Sequence, residues 1–241
     1  MPIPILMYHQ VEAPPPRGTP LRGLVVAPHT FAWQMRMLAL LGYRGLSMRD
    51  LEPYLQGERR GRVVGITFDD GYRNNLVHAL PVLQARGFSA TCYVVSRALG
   101  GSNAWDAELG VPRKDLMDAA DLRRWRAAGM DIGSHTRDHA DLTQLDDAAA
   151  REQIAGAKTD LEQLLGTEVR HFCYPYGRFR NEHARMAAEA GYATATTVGR
   201  GRVRPDDDRL RLPRVLVSRS THPGYFFLKL LTGYEDRYRP R

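Results

Sequence analysis

The chain has 241 residues, 43% hydrophobic and 25% charged, enough to bury a substantial core in one α/β barrel or two small domains. Two cysteines, Cys92 and Cys173, exclude a disulfide framework or a cysteine-rich zinc module, and no run approaches the roughly 20 apolar residues of a membrane span. The net charge of +7 does not point to nucleic acid, because 34 cations, 31 of them arginine once the three lysines are set aside, are interleaved with 27 carboxylates.

In chain order, the first strand signal is the apolar run 3–8, which ends at His9 and is followed by a loop at 13–20 too proline-rich for regular structure. A helix is predicted over 30–41, capped by Thr30, with Phe31, Met35, Leu38 and Leu41 on one face. Strand 63–68 ends in Asp69, Asp70 and Gly71. Helix 73–86, strand 90–95, a long connection at 100–112 and helix 118–128 follow. Strand 130–133 leads into Ser134 and His135, then come helix 146–165, strand 169–174, helix 180–190 and strands at 192–198 and 214–217. Gly42, Gly87, Gly129, Gly166 and Gly191 each follow a helix closely, as C-terminal caps do. Seven strands punctuated by helices predict a parallel α/β architecture in one domain, 1–241, with the strands' C-terminal ends opening onto one functional face.

Two adjacent carboxylates at a strand's C-terminal end point in different directions, so one can bind a metal while the other moves protons. His135 and His139, four residues apart after the next short strand but one, can aim both imidazoles at one point. With Asp69-Asp70 they make a His-His-Asp set suited to one divalent ion, Zn²⁺ or alternatively Co²⁺ or Ni²⁺, with open positions for water and substrate.

Thr67-Phe68-Asp69-Asp70-Gly71 followed by His135-Thr136-Arg137-Asp138-His139 resembles the polysaccharide deacetylase family, the NodB-homology carbohydrate esterases of family 4. The resemblance covers most of the chain. It implies a distorted (β/α)7-type barrel and metal-dependent removal of acetyl groups from glycans, with Asp69 as general base and Asp70, His135 and His139 on the metal. The family's Arg-x-Pro-Tyr motif falls on Cys173-Tyr174-Pro175-Tyr176: the tyrosine, whose backbone N–H holds the oxyanion in the family, is Tyr176, but the arginine that contacts the base is replaced by Cys173. Arg214, at the start of a late strand, is the candidate substitute. The family's last motif, a strand ending in a histidine that acts as general acid, has no good match near the C-terminus, where His222 is the rival. The opening strand ending in His9 instead resembles the circularly permuted branch typified by poly-N-acetylglucosamine N-deacetylases, and makes His9 the acid. Trp105, Tyr174 and Tyr176 are candidate platforms for a sugar ring, with Pro175 beside them.

The sequence reading is therefore a metal-dependent deacetylase acting on an N-acetylhexosamine unit of a bacterial polysaccharide or glycan precursor. Its alternatives are a hydrolase of other non-peptide C–N amides and a catalytically silent, metal-containing glycan-binding protein. No leader of signal-peptide pattern opens the sequence, which reads as that of a cytoplasmic protein; residues 224–241 are expected to form a helix that closes the barrel or, alternatively, one that contacts the inner face of an anionic membrane.

Overall fold

The computed structural model describes residues 2–239. The chain begins with β1 (Ile5–Tyr8), β2 (Gln10–Val11), β3 (Val25–Val26), α1 (Pro28–Leu40), β4 (Arg44–Leu46), α2 (Met48–Leu55) and β5 (Val63–Phe68). A π-helical turn at Asn75–Ala79 leads into α3 (Leu80–Gln84), then β6 (Thr91–Val94), α4 (Ala119–Ala127), β7 (Asp131–Ser134) and α5 (Asp147–Leu165). The last third holds β8 (His171–Cys173), α6 (Asn181–Glu189), β9 (Thr194–Arg200), β10 (Leu212–Leu216) and α7 (Pro223–Leu231).

Seven strands close a parallel barrel in the order β1, β10, β9, β8, β7, β6, β5, and β5 pairs back to β1. This is the distorted (β/α)7 architecture, with β4 alongside the first half of β5. Because strands buried on both faces need apolar residues at every position, β5 is buried from Val63 to Phe68 without alternation. Side chains still alternate in direction. Leu6, Val64, Cys92 and Phe172 join the large core under the helices, while Ile5, Val63, Tyr93 and Cys173 form a second cluster inside the barrel. Both cysteines are buried and unpaired. No helix among the described residues is long and apolar enough to cross a membrane.

Four elements depart from the sequence expectation for local reasons. Helix α1 starts at Pro28, whose fixed φ suits the first helical position, so Ala27 and not Thr30 is the N-cap. Residues 73–86 are not one α-helix: Pro81 has no N–H to give, and the turn before it is π-wound. Helix α2 was not anticipated, since Pro53 interrupts its pattern, although Ser47 accepting from the Asp50 N–H is a capping signal. Strand β10 begins at Leu212, and a register shift between Leu212 and Arg214 accommodates Pro213. The five glycines predicted as caps all adopt positive φ, from 61° to 86°.

At the barrel's N-terminal floor, burial pushes Asp131 up to about 6 and His171 down to about 4. These act oppositely on stability. Between pH 4 and 6 the native Asp131 holds a proton that the unfolded chain has released, so acidification stabilises; His171 stays neutral while its unfolded form is protonated, so acidification destabilises. The two slopes offset. In urea unfolding from pH 6 to 4, His171→Asn should gain stability relative to the wild type and Asp131→Asn should lose it, each by about 1 kcal/mol per pH unit.

Candidate active site

Strand register assembles the site at the C-terminal rim of the barrel. Tyr8 stands opposite Phe68 in the β1–β5 pair, so the residues that follow, His9 and Asp69, emerge side by side, with Nε2 and Oδ2 3.9 Å apart. Val94 stands opposite Ser134 in the β6–β7 pair, and His135 follows directly. The rim carries local strain: Asp70, Thr136, His139 and Tyr176 all have positive φ, between 56° and 73°, which costs a non-glycine residue about 1–3 kcal/mol each. Packing over-determines these conformations. Arg137 binds Asp160 through Nε at 2.8 Å and Nη2 at 2.7 Å and also pairs with Glu152, tying the turn between the histidines to α5. Gly156 makes room for it, since a Cβ there would lie 2.4 Å from the guanidinium carbon.

The two adjacent carboxylates face different surroundings. Asp69 is 2% exposed, and Arg214, itself fully buried, reaches it from β10 in a bidentate pair, Nη1–Oδ1 and Nη2–Oδ2 both 2.7 Å. Arg214 also donates to the Thr197 carbonyl at 2.8 Å and the Thr67 hydroxyl at 3.1 Å, and lies 3.2 Å from the Cys173 sulfur. Burial would raise the Asp69 carboxyl, but the charge and hydrogen bonds of Arg214 more than offset it and hold it below its ordinary value. Arg214 is in turn raised: desolvation would lower it, but the Asp69 charge, the Cys173 sulfur and the hydrogen bonds to Asp69 together outweigh that cost. The guanidinium that position 173 lacks thus reaches the carboxylate from another strand.

Asp70 turns to the histidines instead, with Oδ1 3.4 Å from His135 Nε2 and 3.3 Å from His139 Nε2. Burial alone would raise this carboxyl, yet hydrogen bonds from both imidazoles hold it well below the usual carboxylate range. His135 Nδ1 lies 2.7 Å from the Cys173 carbonyl, which only accepts, so Nδ1 carries a proton and it is Nε2 that faces Asp70. His139 Nδ1 meets the Tyr176 hydroxyl at 3.1 Å, and the Trp105 ring stacks on His139 with centroids 4.5 Å apart. The three donor atoms of Asp70, His135 and His139 lie within 4.8 Å of one another, a nitrogen and oxygen set that fits a divalent transition metal. Asp69, His135 and Cys173 are equally close, but both Asp69 oxygens and the sulfur already face Arg214.

Asp69, Asp70, His135 and His139 line a cavity of about 840 Å³ together with His9, Trp105, Tyr174 and Tyr176. Tyr176 presents a 42% exposed ring, whereas Tyr174 is fully buried, stacked on Phe179 and bonded through its hydroxyl to the Leu210 carbonyl, so it offers no free face to a sugar. Pro175 is buried in the turn between them. His222 is the N-cap of α7 and does not line the cavity. Sequence reasoning missed Asp106, 4% exposed and turned into the cavity with no cationic partner among the described residues; only its position beside Trp105 hinted at it.

A polysaccharide deacetylase family model matches residues 56–195. YxkH of Bacillus subtilis is 28% identical over 218 residues, covering 90% of this chain and 71% of YxkH. The poly-beta-1,6-N-acetyl-D-glucosamine N-deacetylase of Staphylococcus epidermidis is 25% identical over 231 residues, covering 88% of this chain and 78% of that protein. The structure of IcaB from Ammonifex degensii superposes with a TM-score of 0.81 at 26% identity, covering 95% of this chain and 97% of that one.

Removing one half of a buried ion pair leaves an uncompensated charge. Arg214→Met should therefore cost about 3–5 kcal/mol in urea unfolding, and the double variant Asp69→Asn/Arg214→Met should recover part of the loss. Equal stability of the single variant and the wild type would contradict the pairing.

Proposed function

The chain belongs to the polysaccharide deacetylase family, and from that premise we propose that it acts, as one domain, on the acetamide of an N-acetylhexosamine unit in a bacterial polysaccharide or its precursor. The observation that carries this reading is the division between neighbours: Asp69 is locked by Arg214 beside His9, and Asp70 is turned to two histidines. Asp70, His135 and His139 would hold one divalent ion, Zn²⁺ by the preference of that donor set, which when bound polarises an acyl oxygen and makes water more acidic.

The remaining steps belong to side chains of this chain. Asp69 accepts the proton of the attacking water, and Arg214 keeps it ionised and fixed in direction. The Tyr176 backbone N–H donates to the oxyanion that develops at the acetyl carbonyl oxygen, and its strained φ is part of how that donor is aimed. His9 returns a proton to the departing amine. Trp105 and Tyr176 form walls against which a sugar ring can pack. A glycan-binding protein without catalysis would have no use for a buried base and an adjacent acid.

Mass spectrometry of acetylated glucosamine oligomers should show a loss of about 42 Da per turnover, abolished by chelation and restored by Zn²⁺. Asp69→Asn and His9→Ala should each lower kcat by about 10²–10⁴ while Zn²⁺ binding is kept. Turnover of small cyclic amides but not of sugars would move the protein to the other C–N hydrolases, and activity that survives chelation would remove the metal from the account.

A second feature concerns α7. Phe226 and Leu230 are buried, with Trp33 packed edge-on against Phe226, which makes the helix part of the barrel's cover. Tyr225, which lines the cavity, and Leu228 and Leu231 of the same helix are exposed, and on these we base a peripheral contact with an anionic membrane, such as the cytoplasmic leaflet. Arg241 of this segment lies outside the described residues. Leu228→Ser/Leu231→Ser should leave folding intact and reduce co-sedimentation with anionic vesicles several-fold; unchanged co-sedimentation would leave α7 with packing alone.

A further inference from the structure

The charge excess of the chain is not at the catalytic cavity. That cavity is lined by Asp69, Asp70 and Asp106 against Arg200 and Lys229, a formal charge of −1 with neutral histidines. At the opposite, N-terminal end of the barrel two further cavities, of about 630 and 620 Å³, adjoin at Tyr54 and Arg59, which line both, and are treated together as one groove. Arg44, Arg49, Arg59, Arg60, Arg204 and Arg209 line it against a single carboxylate, Asp50: six positive charges and one negative, a formal +5.

These cations are unspent. Among the described residues only Arg49 has a carboxylate within 4.0 Å, and that is Asp50. Asp50 is also bonded to Ser47 and Ser89. Of the three carboxylates that follow Arg204 in sequence, Asp207 pairs with Arg239 and Asp208 with Arg211, and the exposed Asp206 has no cation within 4.0 Å among the described residues. Arg209 donates to the Leu55 carbonyl through one nitrogen, and its buried Nη1 has no partner. A buried guanidinium nitrogen without an acceptor is costly, and an acceptor oxygen brought to it would relieve that cost.

We propose that this groove binds a polyanionic chain whose charges are phosphate or carboxylate groups spaced along a non-aromatic backbone, such as a phosphodiester-linked or uronate-bearing polymer. Tyr54 and the largely buried Phe88 are the rings that line it, so the groove lacks the series of stacking platforms that single-stranded nucleic acid uses. None of the exposed large apolar side chains lines it, so it has nothing to insert into a bilayer. Concave walls carrying planar guanidinium groups suit a chain laid along them. Bound there, an anionic polymer would hold the enzyme against its surroundings and raise the local concentration of glycan at the far end of the barrel.

The test is direct binding of short-chain inorganic polyphosphate to the full chain by isothermal titration calorimetry, which does not depend on the catalytic assignment. If about four arginines engage, the affinity should fall roughly 50-fold between 50 and 200 mM NaCl. Arg59→Gln/Arg60→Gln/Arg204→Gln, three exposed positions that donate no side-chain hydrogen bond among the described residues, should weaken binding at least about tenfold, flatten the salt dependence and leave turnover of a small acetylated oligomer unchanged. Polygalacturonate oligomers should compete. Absence of binding, an unchanged triple variant, or equal binding of a neutral chito-oligosaccharide would overturn the proposal, as would preference for a single-stranded oligonucleotide over polyphosphate.

Discussion

The Asp69–Arg214 pair is the interaction around which the catalytic rim is arranged. It joins β5 and β10, which are not neighbours in the barrel, because β1 runs between them. The pair therefore passes beneath the end of β1, where His9 leaves the strand. A fully buried guanidinium is tolerated only if its donors are met, and here the Thr197 carbonyl, the Thr67 hydroxyl and both Asp69 oxygens meet them. With both oxygens directed at Arg214, Asp69 is withdrawn from metal binding. The neighbouring carboxylate, forced to positive φ at the strand end, is left for the histidines.

That separation makes a base and a ligand out of one dipeptide. A parallel barrel supplies the means: strand ends converge on one face, register fixes which residues emerge together, and the turns beyond the strands hold backbone conformations that an isolated peptide would not. His9 and Asp69 meet through the β1–β5 register, and His135 is aimed by a carbonyl of β8. The opening strand occupies a ring position between the last and an early strand, so a residue from the start of the chain completes a site built mostly from its middle.

Much of this was legible in the sequence. Buried parallel strands are continuous apolar runs, and capping glycines mark helix ends, so the barrel and its single functional face follow from pattern. Asp69, Asp70, His135 and His139 stood out because polar residues directly after apolar strands have few structural explanations. The reach of Arg214 was only a candidate, because whether an arginine on a late strand points inward depends on register, here altered by the shift at Pro213. Tyr174 and Tyr176 looked alike as rings near a barrel mouth; alternation along the strand end buries the first, and the left-handed turn exposes the second. Asp106 was marked only by its place beside Trp105, in a long connection whose path is set by contacts such as the Asn103 side chain with Lys114 and Pro112. Interleaving of charges in the sequence concealed their segregation in space: the cations of residues 44–60 and 204–209 are distant in the chain and face one groove.

The central claim, that the two adjacent aspartates are assigned different work by Arg214, is tested most directly by a crystal structure of the Zn²⁺-loaded protein with anomalous scattering recorded at the zinc edge. The account predicts one ion on Asp70, His135 and His139, with both Asp69 oxygens still held by Arg214. An ion that draws Asp69 away from Arg214, or that sits on Asp69, His135 and Cys173, would contradict it.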